Sequence, residues 1–372
     1  MRARVHMVRP TSGLIRGVAP LIFLLCMAAS GVQQDALDPY ERGDMLSQRL
    51  MEGDVAALEQ AMTPRFLASL GGRDGLARLV AQSRSQVGRE VEVVRQAAYA
   101  EAGHVTYYRV SRFERMPSVT TRWVFDGERR VAALSVRPTQ APSATRHEAY
   151  RTRGFQLPFA APVGGYWYVA WGGNDHISNK HVVARDQRFA YDFVLARGGA
   201  VFRGDGTRNE DHYCWDEPLF APAAGRVVSA VGGVADNPPG TSPPTAPPPG
   251  NHVVIDHGNG AFSIVAHLRL GSLAVRQGQH VTQATLLGRC GNSGRSDLPH
   301  VHYHLQNAAA YGEGEGLPIT FGGYFTGAIY VPEGRPVRGE YLTPTRKLDP
   351  SDPHDPPPQP PGVQDTPRVE RD

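Results

Sequence analysis

Lysine is almost missing from this chain. Of 39 basic residues only Lys180 and Lys347 are lysines, and the rest are arginines. The imbalance runs the whole length, so it reflects composition rather than a basic binding stripe. Net charge is also scant at +3, and electrostatics alone gives no argument for nucleic acid. The apolar run Val18 to Met27 falls short of the roughly 20 residues that a bilayer span takes. Cysteine is rare too, with only Cys26, Cys214 and Cys290.

What is present at the N-terminus has the parts of an export signal. Arg2, Arg4, Arg9 and Arg16 precede the apolar run, and Ala28-Ala29-Ser30-Gly31 offers small residues for cleavage. A cleaved signal over residues 1–30 is the expectation, with a retained anchor as the alternative. Leu25 stands where lipid modification of Cys26 would prefer a small residue. The expected location is outside the cytoplasm, in the periplasm or cell envelope or secreted, with no stable membrane span after cleavage. Loss of Cys26 would leave Cys214 and Cys290, and an oxidising compartment suggests one disulfide, with two separate buried thiols as the alternative.

The 372 residues are enough for two domains and a sizeable core. Residues 35–138 read as an α+β accessory domain. Helical spacing of apolar residues covers Met45 to Met62 and Gly75 to Gln86. Strands are expected at Glu90–Tyr99, His104–Glu114, Val119–Phe125 and Arg130–Arg137, with a hairpin signal at Asp126-Gly127. In its element order this part resembles the cone-shaped, nuclear-transport-factor-like fold, and His104 is a plain strand residue in it. Residues 139–153 form a polar linker. Residues 154–345 are dense in short strands and Gly/Pro turns, which predicts a β-rich antiparallel domain. Its strands are expected at Tyr166–Trp171, Phe189–Leu195, Gly225–Val231, His252–Ile255, Phe262–His267 and His300–Leu305. Val234 to Gly250 reads as a Pro-rich surface loop, and 346–372 as a Pro-rich disordered tail.

Ten of the 14 histidines fall between His176 and His304. His300, His302 and His304 alternate with Val301, Tyr303 and Leu305, so a strand would put the imidazoles on one face and the apolar residues on the other. Asp192 sits in an otherwise apolar strand, where an ionised carboxylate needs a metal or a charged partner. His267 ends another strand. One Asp and two or three His suit zinc, which in catalytic sites takes three protein ligands and keeps a fourth position for water. Further histidines can move protons or stabilise an oxyanion.

Several segments in order and spacing carry a resemblance: APAAGRVVSAVGG (Ala221 to Gly233), HVVIDHGNG (His252 to Gly260), SIVAHL (Ser263 to Leu268), VRQGQHVTQATLLGRCGNSG (Val275 to Gly294) and PHVHYHL (Pro299 to Leu305). Together they resemble the lysostaphin-like zinc metallopeptidases, bacterial enzymes that cut peptide bonds in peptidoglycan. The resemblance implies a compact antiparallel sheet with an open groove and one Zn2+ per chain. It implies Asp192 and His302 as metal ligands and His267 and His300 as catalytic histidines. His304 has no implied role and reads as a support for the ligands, a groove lining or a surface residue. At one ligand the chain departs from the family, because Arg188 stands four residues before Asp192 in place of a histidine. Arginine has no lone pair to give. His181 is the expected replacement and His176 the second choice.

Other polar residues have structural readings. Asp256 and His257 lead into a Gly258-Asn259-Gly260 hairpin turn. Asn292 and Ser293 belong to the turn before the histidines or face substrate, and Trp167 and Trp171 read as core. The leading expectation is an exported zinc endopeptidase acting on peptidoglycan stem peptides or cross-bridges. The alternative is a non-catalytic peptidoglycan-binding or hydrolase-activating module with a degenerate metal site. A peptidase acting on protein is a third, weaker reading.

Overall fold

Asp38 caps the first helix through Tyr40 N, Pro39 fits its first turn, and Gly53 ends it in the left-handed conformation. The computed structural model describes residues 38–101, 103–147 and 154–345. The expected export signal, residues 148–153 of the linker and the tail lie outside the described residues. Helices α1 (Pro39–Glu52), α2 (Val55–Ala61), α3 (Pro64–Ser69) and α4 (Gly72–Val87) precede four strands. The single helix expected over Met45 to Met62 is therefore two. Gly53 takes φ +85° and Asp54 caps a new helix through Ala57 N, so the chain turns where periodicity alone reads continuity.

Strands β1 (Glu90–Glu101), β2 (His104–Phe113), β3 (Val119–Phe125) and β4 (Val131–Pro138) pair in that order as an antiparallel sheet. One face carries Tyr107, Trp123 and Phe125 against Leu46, Leu50, Leu58 and Leu76 of the helices. Burial of side chains this size contributes about 2 kcal/mol each. The Trp123 indole N–H is satisfied by Ser47 Oγ at 2.9 Å.

The remaining strands are β5 (Tyr166–Trp171), β6 (Tyr191–Ala196), β7 (Pro218–Phe220), β8 (Gly225–Val231), β9 (Asn251–Asp256) and β10 (Phe262–Leu268). They continue with β11 (His280–Val281), β12 (Leu286–Arg289), β13 (Val301–Gln306), β14 (Phe321–Thr326), β15 (Ile329–Gly334) and β16 (Tyr341–Pro344). Ten of them form one sheet in the order β11-β8-β9-β10-β13-β6-β5-β16-β14-β15, and β12 pairs with β7. All of these pairings are antiparallel. An α+β part followed by a β-rich antiparallel part is thus the fold class. Strand β6 starts at Tyr191 rather than Phe189, because Ala190 N closes a turn onto Gln187 O at 2.9 Å.

The main core lies on one face of the large sheet, where Phe193, Leu195, Val301, Tyr303 and Leu305 pack with Trp167 and Phe159. Cys214 and Cys290 form a disulfide with Cα atoms 5.9 Å apart. It joins the segment before β7 to the residue that follows β12, and closing its loop across a sequence separation of 76 stabilises the fold by about 4 kcal/mol. The Pro-rich loop is tied down at both ends. Asn237 Nδ2 donates to Gly294 O and Ser296 O, and Asn251 bonds Val234 in both directions. The four-stranded and the ten-stranded sheets belong to one compact unit. Among the described residues no helix is long and apolar enough to cross a membrane.

Candidate metal centre

The register of β6 against β13 sets His302 directly opposite Asp192. Both side chains leave the face away from the core, as period 2 requires. His302 Nδ1 lies 2.9 Å from Asp192 Oδ1, and His181 Nε2 lies 3.0 Å from Asp192 Oδ2. His181 comes from a loop, in a 3₁₀ turn over Lys180–Val183 capped by the Asn179 side chain, which accepts from His181 N. The donor atoms of His181, Asp192 and His302 all lie within 4.8 Å of one another. Tetrahedral zinc with bonds of about 2.0 Å holds its donors about 3.3 Å apart, and the two histidine contacts to Asp192 are close to that spacing.

The hydrogen bonds around His302 fix its tautomer. Gln306 Nε2 donates to Ala308 O and Ala310 O, each at 2.7 Å, which turns Gln306 Oε1 toward His304 Nε2 at 3.4 Å. An N–H at His304 Nε2 leaves its Nδ1 as acceptor for His302 Nε2–H, 2.9 Å away. His302 Nδ1 then presents a lone pair to a carboxylate oxygen. Two acceptors facing each other at that distance repel unless a cation lies between them, and this donor set therefore suits a metal.

Two more histidines complete the cluster. His300 Nδ1 donates to Leu298 O at 2.8 Å and His267 Nδ1 donates to Ser293 O at 2.8 Å, so both Nε2 atoms carry lone pairs. Their rings lie 4.8 Å apart, and His300 Nε2 is 3.7 Å from Asp192 Oδ1. His267 reaches this face through a break in strand alternation. The register of β10 slips between Val265 and Leu268, and His267 takes φ +61°, a conformation that costs a non-glycine residue about 1 kcal/mol.

Burial lowers His302 to about 4 and holds His300 and His267 below their usual value. All three are neutral near pH 7 and can act as ligands or bases. Burial alone would raise the Asp192 carboxyl, yet its contacts with His181 and Lys180 outweigh it and hold it well below the usual carboxylate range. Asp192, His267, His300 and His302 are all buried. A cavity of about 270 Å³ opens beside Asp192 and His300, with Trp171, Lys180, Leu298 and Tyr341 in its wall.

The other expected residues separate clearly. Arg188 is buried and turned away, donating to Ser143 O and Asn174 O at 3.0 Å each. His176 bonds Thr120 Oγ1 at 2.7 Å, outside the cluster. His304 is fully buried behind His302. Asn292 and Ser293 are fully buried and bond the surrounding turns. Asp256 accepts from Gly258 N, and His257 bonds Ala224 O and Ser263. Trp167 is core, stacked on Phe159, whereas Trp171 lies between Arg338 and Lys180.

Sequence reasoning missed two residues. Lys180 Nζ reaches Asp192 Oδ2 at 2.7 Å, and a lysine in so lysine-poor a chain was the available signal. Gln306 follows the histidines at the same period of two, which was the signal for its place in the relay.

Residues 213–313 match the sequence profile described as Peptidase family M23. The matched stretch contains His267, His300 and His302 but not His181 or Asp192. The chain is 43% identical over 56 residues to the peptidoglycan DD-endopeptidase ShyA of Vibrio cholerae serotype O1, covering 15% of this chain and 13% of that protein. Lysostaphin of Staphylococcus simulans overlays with a TM-score of 0.26 at 16% identity, covering 45% of this chain and 52% of that one. The catalytic domain of the prophage-encoded M23 protein EnpA from Enterococcus faecalis, in a point-mutant form, overlays with a TM-score of 0.27 at 17% identity, covering 44% and 94%. On the profile match alone, residues 213–313 of this chain form a domain of Peptidase family M23.

Proposed function

We propose that the chain is an exported zinc-dependent endopeptidase that hydrolyses peptide bonds in peptidoglycan stem peptides or cross-bridges. The observation that carries the reading is the convergence of His181, Asp192 and His302 beside two further neutral histidines. In this reading residues 35–138 are an accessory domain and 154–345 the catalytic one, joined by residues 139–153. Export over residues 1–30 places the chain in the periplasm or cell envelope, or in the medium. The family match and the short stretch shared with a peptidoglycan endopeptidase support the substrate class.

His181, Asp192 and His302 would hold the zinc. When bound, zinc acidifies a water and polarises a carbonyl for attack. His300, with Nδ1 tied to Leu298 O, keeps Nε2 free to take the proton of the attacking water. His267, tied to Ser293 O, presents a second lone pair at Nε2 from the neighbouring strand, and whichever of the two histidines takes the water's proton becomes the cation that faces the developing oxyanion. Which of the two takes the proton first is set by the side from which the peptide enters. The cavity beside Asp192 gives room for one substrate residue next to the scissile bond.

The test is cleavage of cross-linked peptidoglycan fragments by the zinc-loaded mature chain, with mass spectrometry of the products. Chelator-sensitive scission of a peptide bond is the expected result. Intact fragments together with no bound zinc would instead support the non-catalytic binding module.

A further inference from the structure

The loop that carries His181 has no strand to fix it, and the N-terminal sheet grips it residue by residue. Arg95 of β1 ion-pairs with Asp175. Thr120 of β3 bonds His176 Nε2 at 2.7 Å. Ile177 is 1% exposed and packs with Ala97, Tyr108 and Val110 of β1 and β2. Arg338 closes the contact from the large sheet's side. It donates to Tyr108 Oη and Ile177 O while its guanidinium lies 3.9 Å over Trp171 and 4.4 Å over Tyr99.

From these three anchored residues the geometry passes directly to the ligand. Asp175 Oδ1 accepts from Ile177 N at 2.9 Å, and Asp175 O accepts from Asn179 N at 2.8 Å. Asn179 Oδ1 accepts from His181 N at 3.0 Å, and Asn179 Nδ2 ties the turn to Ala190 O, two residues before Asp192. Each link is a short hydrogen bond between neighbours, so a shift at residues 175–177 moves His181.

We infer that the N-terminal sheet is a positioning element of the metal centre. Arg95, Tyr108 and Thr120 hold the loop at Asp175, His176 and Ile177 so that His181 meets Asp192. The inference rests on the proposed zinc site. It gives the accessory part a stated task, because a ligand on an unpaired loop needs an external grip to be held as closely as one on a strand. Partners that orient metal ligands contribute about 10- to 100-fold in affinity.

The test uses the full chain and reads zinc affinity by chelator competition, together with the visible spectrum of the cobalt-loaded form. Ile177→Ala is expected to weaken zinc binding about 10- to 100-fold and alter the cobalt spectrum, while Ile177→Val keeps both near the parent. Val80→Ala, in the helical layer of the same sheet, controls for general loss of stability and is expected to leave zinc affinity unchanged. Should Ile177→Ala fail to fold, Thr120→Val removes one grip and is expected to weaken zinc several-fold, toward the lower end of that range. Zinc affinity within twofold of the parent for Ile177→Ala, or for Thr120→Val in its place, would overturn the inference. A parent chain that binds no zinc would overturn the metal-site reading itself, and is seen before any variant is made.

Discussion

The two halves of the proposed metal site are built differently. Asp192 and His302 stand on adjacent strands in direct register, and the pairing of β6 with β13 sets their separation. His181 stands on a loop, and side-chain bonds from Asp175 and Asn179 set its place. A strand pair fixes a ligand through the backbone ladder of a sheet already held by its core. A loop must be fixed by contacts made for that purpose, and here some are made within the loop by Asp175 and Asn179 and others come from a second sheet. One site can therefore combine a half that tolerates change around it with a half that depends on remote packing.

The largest effect is expected where the strand half is broken directly. Asp192→Asn or His302→Ala should lower zinc affinity by more than about 100-fold, beyond what an outer partner contributes, with cleavage lost in parallel. Isothermal titration of the metal-free chain with zinc checks this. Retained binding in either variant would remove that residue from the ligand set.

One layer back, His304→Ala should weaken zinc by about 10- to 100-fold, because His302 then loses the acceptor that holds its lone pair at Nδ1. His304→Gln keeps an acceptor and is expected to recover part of that loss. Equal affinities for the two variants would rule out the relay.

Arg188 sharpens the contrast from the other side. Arg188→Met should leave zinc affinity intact and cost about 2 kcal/mol of stability, read by urea denaturation, since it leaves the carbonyls of Ser143 and Asn174 short of a donor. A loss of zinc with stability unchanged would mean that Arg188 acts on the site.

A further prediction concerns pH. His302 falls from 6.5 in the unfolded chain to about 4 in the fold, and burial lowers His267 and His300 as well. Below pH 6.5 the unfolded chain takes up protons that the native metal-free chain does not, which favours unfolding. Stability from this source is full above pH 6.5 and is lost progressively down to about 4. The Tm of the metal-free chain should decline through that window, and a flat Tm would contradict the burial of neutral imidazoles.

The same division explains what could be read from sequence. The alternation around His300, His302 and His304 is a strand signal, and the structure puts Val301, Tyr303 and Leu305 in the core with the histidines on the other face. Strands 119–125, 166–171 and 225–231 agree end to end with their expected bounds. Asp192 announced itself as a carboxylate within an apolar strand. His267 was legible as a strand-end histidine, but not its left-handed backbone, which depends on a register slip against β9. The break between α1 and α2 escaped periodicity because Leu46, Leu50 and Leu58 share one core across the bend. His181 could be named only as a replacement far enough before Asp192, by 11 residues, to return beside it. Its approach to Asp192 follows from loop bonds and from packing against a sheet that lies some 60 to 85 residues earlier in the chain, from Arg95 to Thr120.

The most direct test of the central claim compares zinc content and peptidoglycan cleavage of the parent, His181→Ala and Arg188→Ala chains, each dialysed against zinc and then against buffer. One zinc per chain is expected in the parent and in Arg188→Ala, with none retained and no cleavage in His181→Ala. A His181→Ala chain that keeps its zinc and its cleavage would contradict the account, because the site would then be complete without the loop-borne ligand.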